Sequence, residues 1–175
     1  MLFRSIFELL DEIIQEVGEQ NVVQVITNNA SNYVLARKIL ESKYKTIFWT
    51  PCAAHCIDLM LEGIGKVDWV KNTIAHAKCI TKYIYNHSWV LTLMREKTEG
   101  KELVRPAITR FATHFLTLQC LNSQQENLQK MFSFDDWTES RWAHRQDGKD
   151  TKKKVFDNYF WKKVCRACEI YQAPC

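Results

Sequence analysis

Apolar residues open the chain at the spacing of one helix face: Ile6, Leu9, Leu10, Ile13, Ile14 and Val17, with Gly18 following as a C-terminal stop. The period then changes. Residues 22–27 form a short β-branched run of the kind a fully buried parallel strand shows. It empties into Asn28 and Asn29, which are suited to capping a helix over about residues 29–43. A second strand is expected over 46–50. It runs into Thr50-Pro51-Cys52, which reads as an N-cap with proline at the first position of a helix over about 51–63.

Beyond this strand–helix–strand–helix segment the pattern is helical. Val67, Val70, Ile74, Ala77, Ile80 and Ile84 mark an amphipathic helix, broken at Asn86 and His87 and resumed over 88–97. The polar stretch 98–106, with Gly100, predicts a loop. Phe111, Phe115, Leu118, Leu121, Leu128 and Met131 outline another helix. Residues 133–154 are polar apart from their tryptophans and are expected as loop, partly mobile, with a last helix over 155–171. The chain therefore divides into a partial α/β core (1–65), a helical segment (66–132), and a polar segment with a terminal helix (133–175). Two parallel strands alone leave both sheet edges open. The expectation is that the chain is the middle of a larger α/β domain.

Composition narrows the class. With 46% hydrophobic and 12% aromatic residues over 175 positions, a packed core is expected rather than disorder. The formal charge of +4 permits nucleic-acid contact without demanding it. No apolar run approaches the roughly 20 residues of a membrane span, and acids interrupt the apolar N-terminus, so neither a membrane partner nor a secretory leader is expected. Seven cysteines without that leader point to a reducing compartment.

Three motifs carry a resemblance. The first, 23–36, holds Thr27-Asn28-Asn29 ahead of Ala30-Ser31-Asn32. The second, 49–61, reads WTPCAAHCIDLML and holds Cys52-x-x-His55. The third, 105–121, holds Thr109-Arg110-Phe111, and FWKKV at 160–164 follows. In this order they resemble the hAT superfamily of transposases, and in particular the plant relatives that retain a transposase-derived domain of unknown function. The resemblance implies an α/β, partial ribonuclease-H-like fold, a βαβ unit with a helical insertion, helix-dominated overall. It also implies descent from a DNA strand-transfer enzyme that uses two magnesium ions held by three carboxylates. The family places its middle acid at position 28, and here that residue is Asn28. The first and third acids are expected upstream and downstream of the chain. An amide offers a divalent ion a neutral dipole where a carboxylate offers a charge. The chain is therefore expected to be catalytically inactive, without a cofactor or small-molecule substrate, and to associate with DNA or with transposase-like proteins if it associates at all. Its setting is then nuclear, otherwise cytoplasmic. Two alternatives stay open: a zinc-stabilised domesticated interaction protein, and a metal-dependent strand-transfer enzyme completed by a partner.

Each singled-out group also has a plain structural reading. Asn28 and Asn29 serve as helix caps. Cys52 and His55, on one face of a first helical turn, suggest an activated thiol, but no orienting third residue is visible, and a packing role against the insertion is the simpler reading. Cys52 and His55 with His76 and Cys79 make four conceivable zinc ligands, although the second pair lies mid-helix and the spacing matches no standard finger. Cys165-x-x-Cys168 is incidental to a helix. Arg110 and Phe111 are the candidates for DNA contact, phosphate for the one and a base for the other, against a surface arginine beside a core phenylalanine. Lys152, Lys153 and Lys154 read as a solvated run or a phosphate contact, and Trp137, Trp142 and Trp161 as anchors of the polar segment.

Overall fold

Gly18 ends the first helix with a φ of 87°, a backbone state that costs glycine little and other residues much. In this computed structural model, which describes residues 2–105 and 111–172, α1 spans Leu2–Val17 and the chain turns through a short 3₁₀ segment, Glu19–Asn21, into β1, Gln24–Thr27. Helix α2 (Ser31–Lys43), β2 (Phe48–Pro51) and α3 (Ala53–Gly65) follow. The two strands pair in parallel, Gln24 opposite Phe48 through Thr27 opposite Pro51, across the α2 crossover. Among the described residues the sheet has these two strands and the rest of the regular structure is helical.

The chain divides into two compact units, Met1–Met60 and Leu61–Cys175. In the first, α1 packs on α2 around Ile14, Leu40, Tyr44 and Ile47, with Phe7, Leu10, Val22 and Val25 at the margin. Asp11 of α1 bridges the same helices: its carboxylate accepts from Lys43 Nζ at 2.6 Å and from the Tyr44 hydroxyl. Those two hydrogen bonds, Lys43 first, hold the Asp11 carboxyl below its usual range, while partial desolvation opposes them.

The strands are not fully buried as their composition predicts. Val25 and Thr27 are half-covered, whereas Ile26 and Phe48 are 60% and 70% exposed. By the strand alternation Ile26 and Phe48 share one side of the sheet, whereas Val25 and the buried Trp49 share the other. Pro51 also departs from expectation, as the last residue of β2 rather than the first of a helix. The Phe48 and Cys52 N–H groups donate to the Val23 and Thr27 carbonyls of the neighbouring strand at 2.9 and 2.7 Å. Amides alternate sides along a strand, so the N–H that Pro51 lacks would have pointed to the open edge, where proline costs the ladder nothing. The helix consequently starts later, with the Cys52 carbonyl accepting from the Cys56 N–H at 3.0 Å.

Among the described residues the regular structure of the second unit is all helical. After the end of α3 come α4 (Asp68–Asn86), α5 (Ser88–Lys97), α6 (Ala112–Ser123), α7 (Gln125–Met131), α8 (Asp135–Thr138), α9 (Arg141–His144), α10 (Gln146–Val155) and α11 (Asn158–Gln172). Helix α4 is the hub, touching α5, α6, α10 and α11 and burying Val70, Ile74, Ala77, Ile80 and Ile84. The helix expected from Phe111 onward is broken at Gln124 into α6 and α7. Residues 98–105 are non-helical as the polar stretch predicts, and Tyr85 secures them. Its hydroxyl accepts from the Leu103 N–H at 3.0 Å and donates to the Glu102 carboxylate at 2.6 Å. Burial and that carboxylate push the Tyr85 hydroxyl up to about 12.

The polar segment 133–154 is folded rather than loop-like, as α8, α9 and most of α10. Trp137 is completely buried against Phe132, and Trp161 is buried with its Nε1 donating to the Val155 carbonyl at 2.7 Å. Trp142 is half-buried beside the His87 ring. A few large anchors supply the burial that the average hydropathy of this segment hides. One core cluster runs from Leu61 to Cys168, so described residues on both sides of position 132 pack around the same interior.

Candidate functional site

In a parallel strand–helix–strand unit the chemistry-bearing positions lie just past the carboxyl ends of the strands. Here those positions are Thr27 at the end of β1 with Asn28 and Asn29 after it, and Pro51 at the end of β2 with Cys52 after it. The Asn28 side chain folds back locally: its Oδ1 accepts from the Ala30 N–H at 3.1 Å, an Asx turn, and the Thr27 hydroxyl donates to the Asn28 carbonyl at 3.2 Å. Asn28 and Asn29 do not cap α2 directly. The cap position is Ala30, whose side chain makes no capping bond, so the asparagine shapes the turn one step before the helix. None of the strand-end residues is a carboxylate. An amide oxygen already engaged, a hydroxyl and a thiol do not fit a pair of hard divalent cations.

Cys52 precedes α3 and His55 lies in its first turn; both are half-buried. His76 and Cys79, in the other unit, are exposed on α4 rather than packed inside as the mid-helix spacing predicts, and the His76 ring lies 6.1 Å from that of Phe160 between centroids. Among the described residues no three His, Cys, Asp or Glu side chains are grouped to hold a metal ion. Cys165 is exposed and Cys168 buried on α11, and desolvation pushes both thiols up, away from the reactive thiolate.

Of the two DNA-contact candidates, Arg110 lies outside the described residues. Phe111 is placed, and it lines a groove. Half-buried at the start of α6, it meets the His114 ring edge-on, with centroids 5.4 Å apart at 87°. Together with Gly65, Lys66, Lys71, Ile74, Ala75, Lys78 and His114 it encloses about 390 Å³ of open space. Gly65 helps to keep that space: a Cβ there would stand 3.7 Å from Phe111 Cδ1 and 4.0 Å from Ile74 Cδ1. Lys66 pairs with Glu62 at 2.7 Å. Lys71 and Lys78 are exposed on one side of α4, seven residues and therefore about 10.5 Å apart along the axis. Buried Ile74 lies between them in sequence. The arrangement sets ammonium groups around an apolar floor with one aromatic wall, which suits a phosphate-bearing ligand with a planar base.

The lysines were legible as surface charges but not as a site. Lys71 and Lys78 fall on the polar side of an ordinary amphipathic pattern, and the tertiary fold is what brings Phe111, 40 and 33 residues downstream of them in the sequence, alongside them.

Among the described residues no helix is long and apolar enough to cross a membrane. No curated protein and no solved structure matches the chain. Residues 3–80, which carry the strand–helix–strand unit, α3 and most of α4, match the family model described as Domain of unknown function (DUF659).

Proposed function

We propose that the chain is a transposase-derived domain that does not cleave DNA strands and that associates with nucleic acid through its helical unit. The family of the match occurs in hAT-like, transposase-derived proteins of plants, which supports the ancestry. The parallel β1–α2–β2 unit is consistent with the ribonuclease-H-like class that such an ancestry implies. The observation that carries the inactive reading is Asn28. At the end of β1, where a metal-holding acid belongs, there is a neutral amide whose oxygen is spent on the Ala30 N–H. Binding is supported by the groove of Lys66, Lys71, Lys78 and Phe111. A role on nucleic acid implies a nuclear setting.

The purified chain with plasmid and magnesium tests the first half, and labelled DNA in an anisotropy titration tests the second. The expected result is no nicking, and binding that weakens steeply with salt and falls in Lys71→Glu/Lys78→Glu. Cleavage abolished by EDTA would overturn the inactive reading. Undetectable binding at low salt would overturn the nucleic-acid reading.

A further inference from the structure

The corner between α10 and α11 concentrates positive charge and exposed aromatic surface. Residues 152–166 hold six basic side chains and one acid, Asp157. That acid is already engaged: its Oδ1 accepts from the Tyr159 N–H at 2.9 Å and so caps the start of α11. Lys152, Lys153 and Lys154 at the end of α10 complement its negative pole. The helix dipole, however, gives no reason for aromatics beside them. The core takes Val155, Phe160 and Trp161, which turns Phe156 and Tyr159 outward, 42% and 66% exposed. The Lys163 ammonium lies 4.1 Å from the Tyr159 ring centroid and the Lys152 ammonium 5.9 Å from that of Phe156. With two thirds of its surface open, Tyr159 keeps an accessible ring face beside its ammonium.

We infer that this corner is a binding surface for single-stranded nucleic acid, with Phe156 and Tyr159 stacking on unpaired bases and the flanking lysines holding the phosphates. Exposed rings interleaved with cations fit a strand whose bases are available. A duplex keeps its base faces stacked inside and offers such rings little. The inference rests on the nucleic-acid reading above but uses different residues from the Phe111 groove.

The test compares labelled oligothymidylate with a labelled duplex of equal length, by anisotropy, on the full chain. Phe156→Ala/Tyr159→Ala is expected to weaken single-strand binding roughly tenfold or more while changing duplex binding by less than about twofold. Tyr159→Trp, which keeps a stacking ring, retains the affinity and adds a fluorophore that the bound strand quenches. A cooperative melt like that of the parent chain confirms that each variant is folded. Single-strand affinity unchanged in the double alanine variant, or single-strand and duplex affinities lost in parallel, overturns the inference while leaving nucleic-acid association standing. No binding of either oligonucleotide by the parent chain overturns both. Tyr159-dependent binding to vesicles rich in anionic lipid, without oligonucleotide binding, overturns both in favour of a membrane surface.

Discussion

Gly148 passes so close to Trp142 that a Cβ on the glycine would stand 2.0 Å from the tryptophan carbonyl oxygen. The same Cβ would meet Tyr83 Oη at 2.9 Å. The backbone contact is the decisive one, because a carbonyl cannot swing aside as a flexible side chain can. Gly148→Ala is therefore expected to force α9 and α10 apart and to destabilise the helical unit by about 1–3 kcal/mol, despite alanine's better helix propensity. Urea unfolding of the two proteins checks this, and equal midpoints would show that the contact is relieved at no cost.

Tyr83 beneath that glycine is buried, and its hydroxyl has no hydrogen-bond partner among the described residues. Removing an unpaired buried hydroxyl relieves a desolvation cost. Tyr83→Phe is expected to fall within about 1 kcal/mol of the parent, on the stabilising side, and a lowered melting temperature would show that the hydroxyl has a partner, such as a buried water. Burial first, then the charge of Asp147, raises this hydroxyl to about 12, against an opposing effect of Arg145. A phenol whose ionisation is opposed by burial leaves stability unchanged below its ordinary value of 10.0 and costs stability as pH climbs from there toward about 12, because the unfolded chain releases the proton first. Tyr83→Phe should flatten that alkaline loss, and identical alkaline melts would argue against it.

Asp11 gives the first unit the opposite dependence. Lys43, then Tyr44, holds its carboxyl below the ordinary 3.8. A depressed acid contributes stability that is present above that value and disappears as pH falls through the lower, folded one. Asp11→Asn should therefore lower the melt of the first unit near neutral pH and narrow its difference from the parent in acid. A difference that does not change with pH would assign the effect to packing instead.

Asn28 separates the turn from the chemistry. Asn28→Ala removes the bond to the Ala30 N–H and is expected to cost up to about 1 kcal/mol. Asn28→Asp keeps that acceptor and adds a charge near the start of α2, which the helix dipole favours. It should be at least as stable as the parent at neutral pH and should still leave plasmid intact with magnesium. Nicking by Asn28→Asp alone would show that the remaining metal ligands are present within these residues.

Much of this organisation is legible in the residues. The apolar period of α1, its glycine stop, the parallel strand pair and the hub helix α4 follow from spacing alone, because each pattern has one local solution that buries its apolar side. The same rules misplace Pro51, since a proline before a helix and a proline on a free strand edge look alike until the direction of the neighbouring amides is known. They also miss α8 to α10. There Trp137 and the small Gly148 count for more than a dozen polar neighbours, and propensity averages cannot weigh one buried ring against them.

The candidate surfaces divide in the same way. Position 28 is a matter of residue identity: an amide has no charge to offer a cation in any conformation, so the proposed inactivity rests on the residue and not on the fold. The Phe111 groove and the lysine–aromatic corner depend on which residues remain outside after packing. Lys71 and Lys78 become one wall with Phe111 because α4 and the start of α6 pack together, and Tyr159 is left in solvent because Phe160 and Trp161 take the interior. Local chemistry is written residue by residue, whereas a surface exists only after the core has chosen its members.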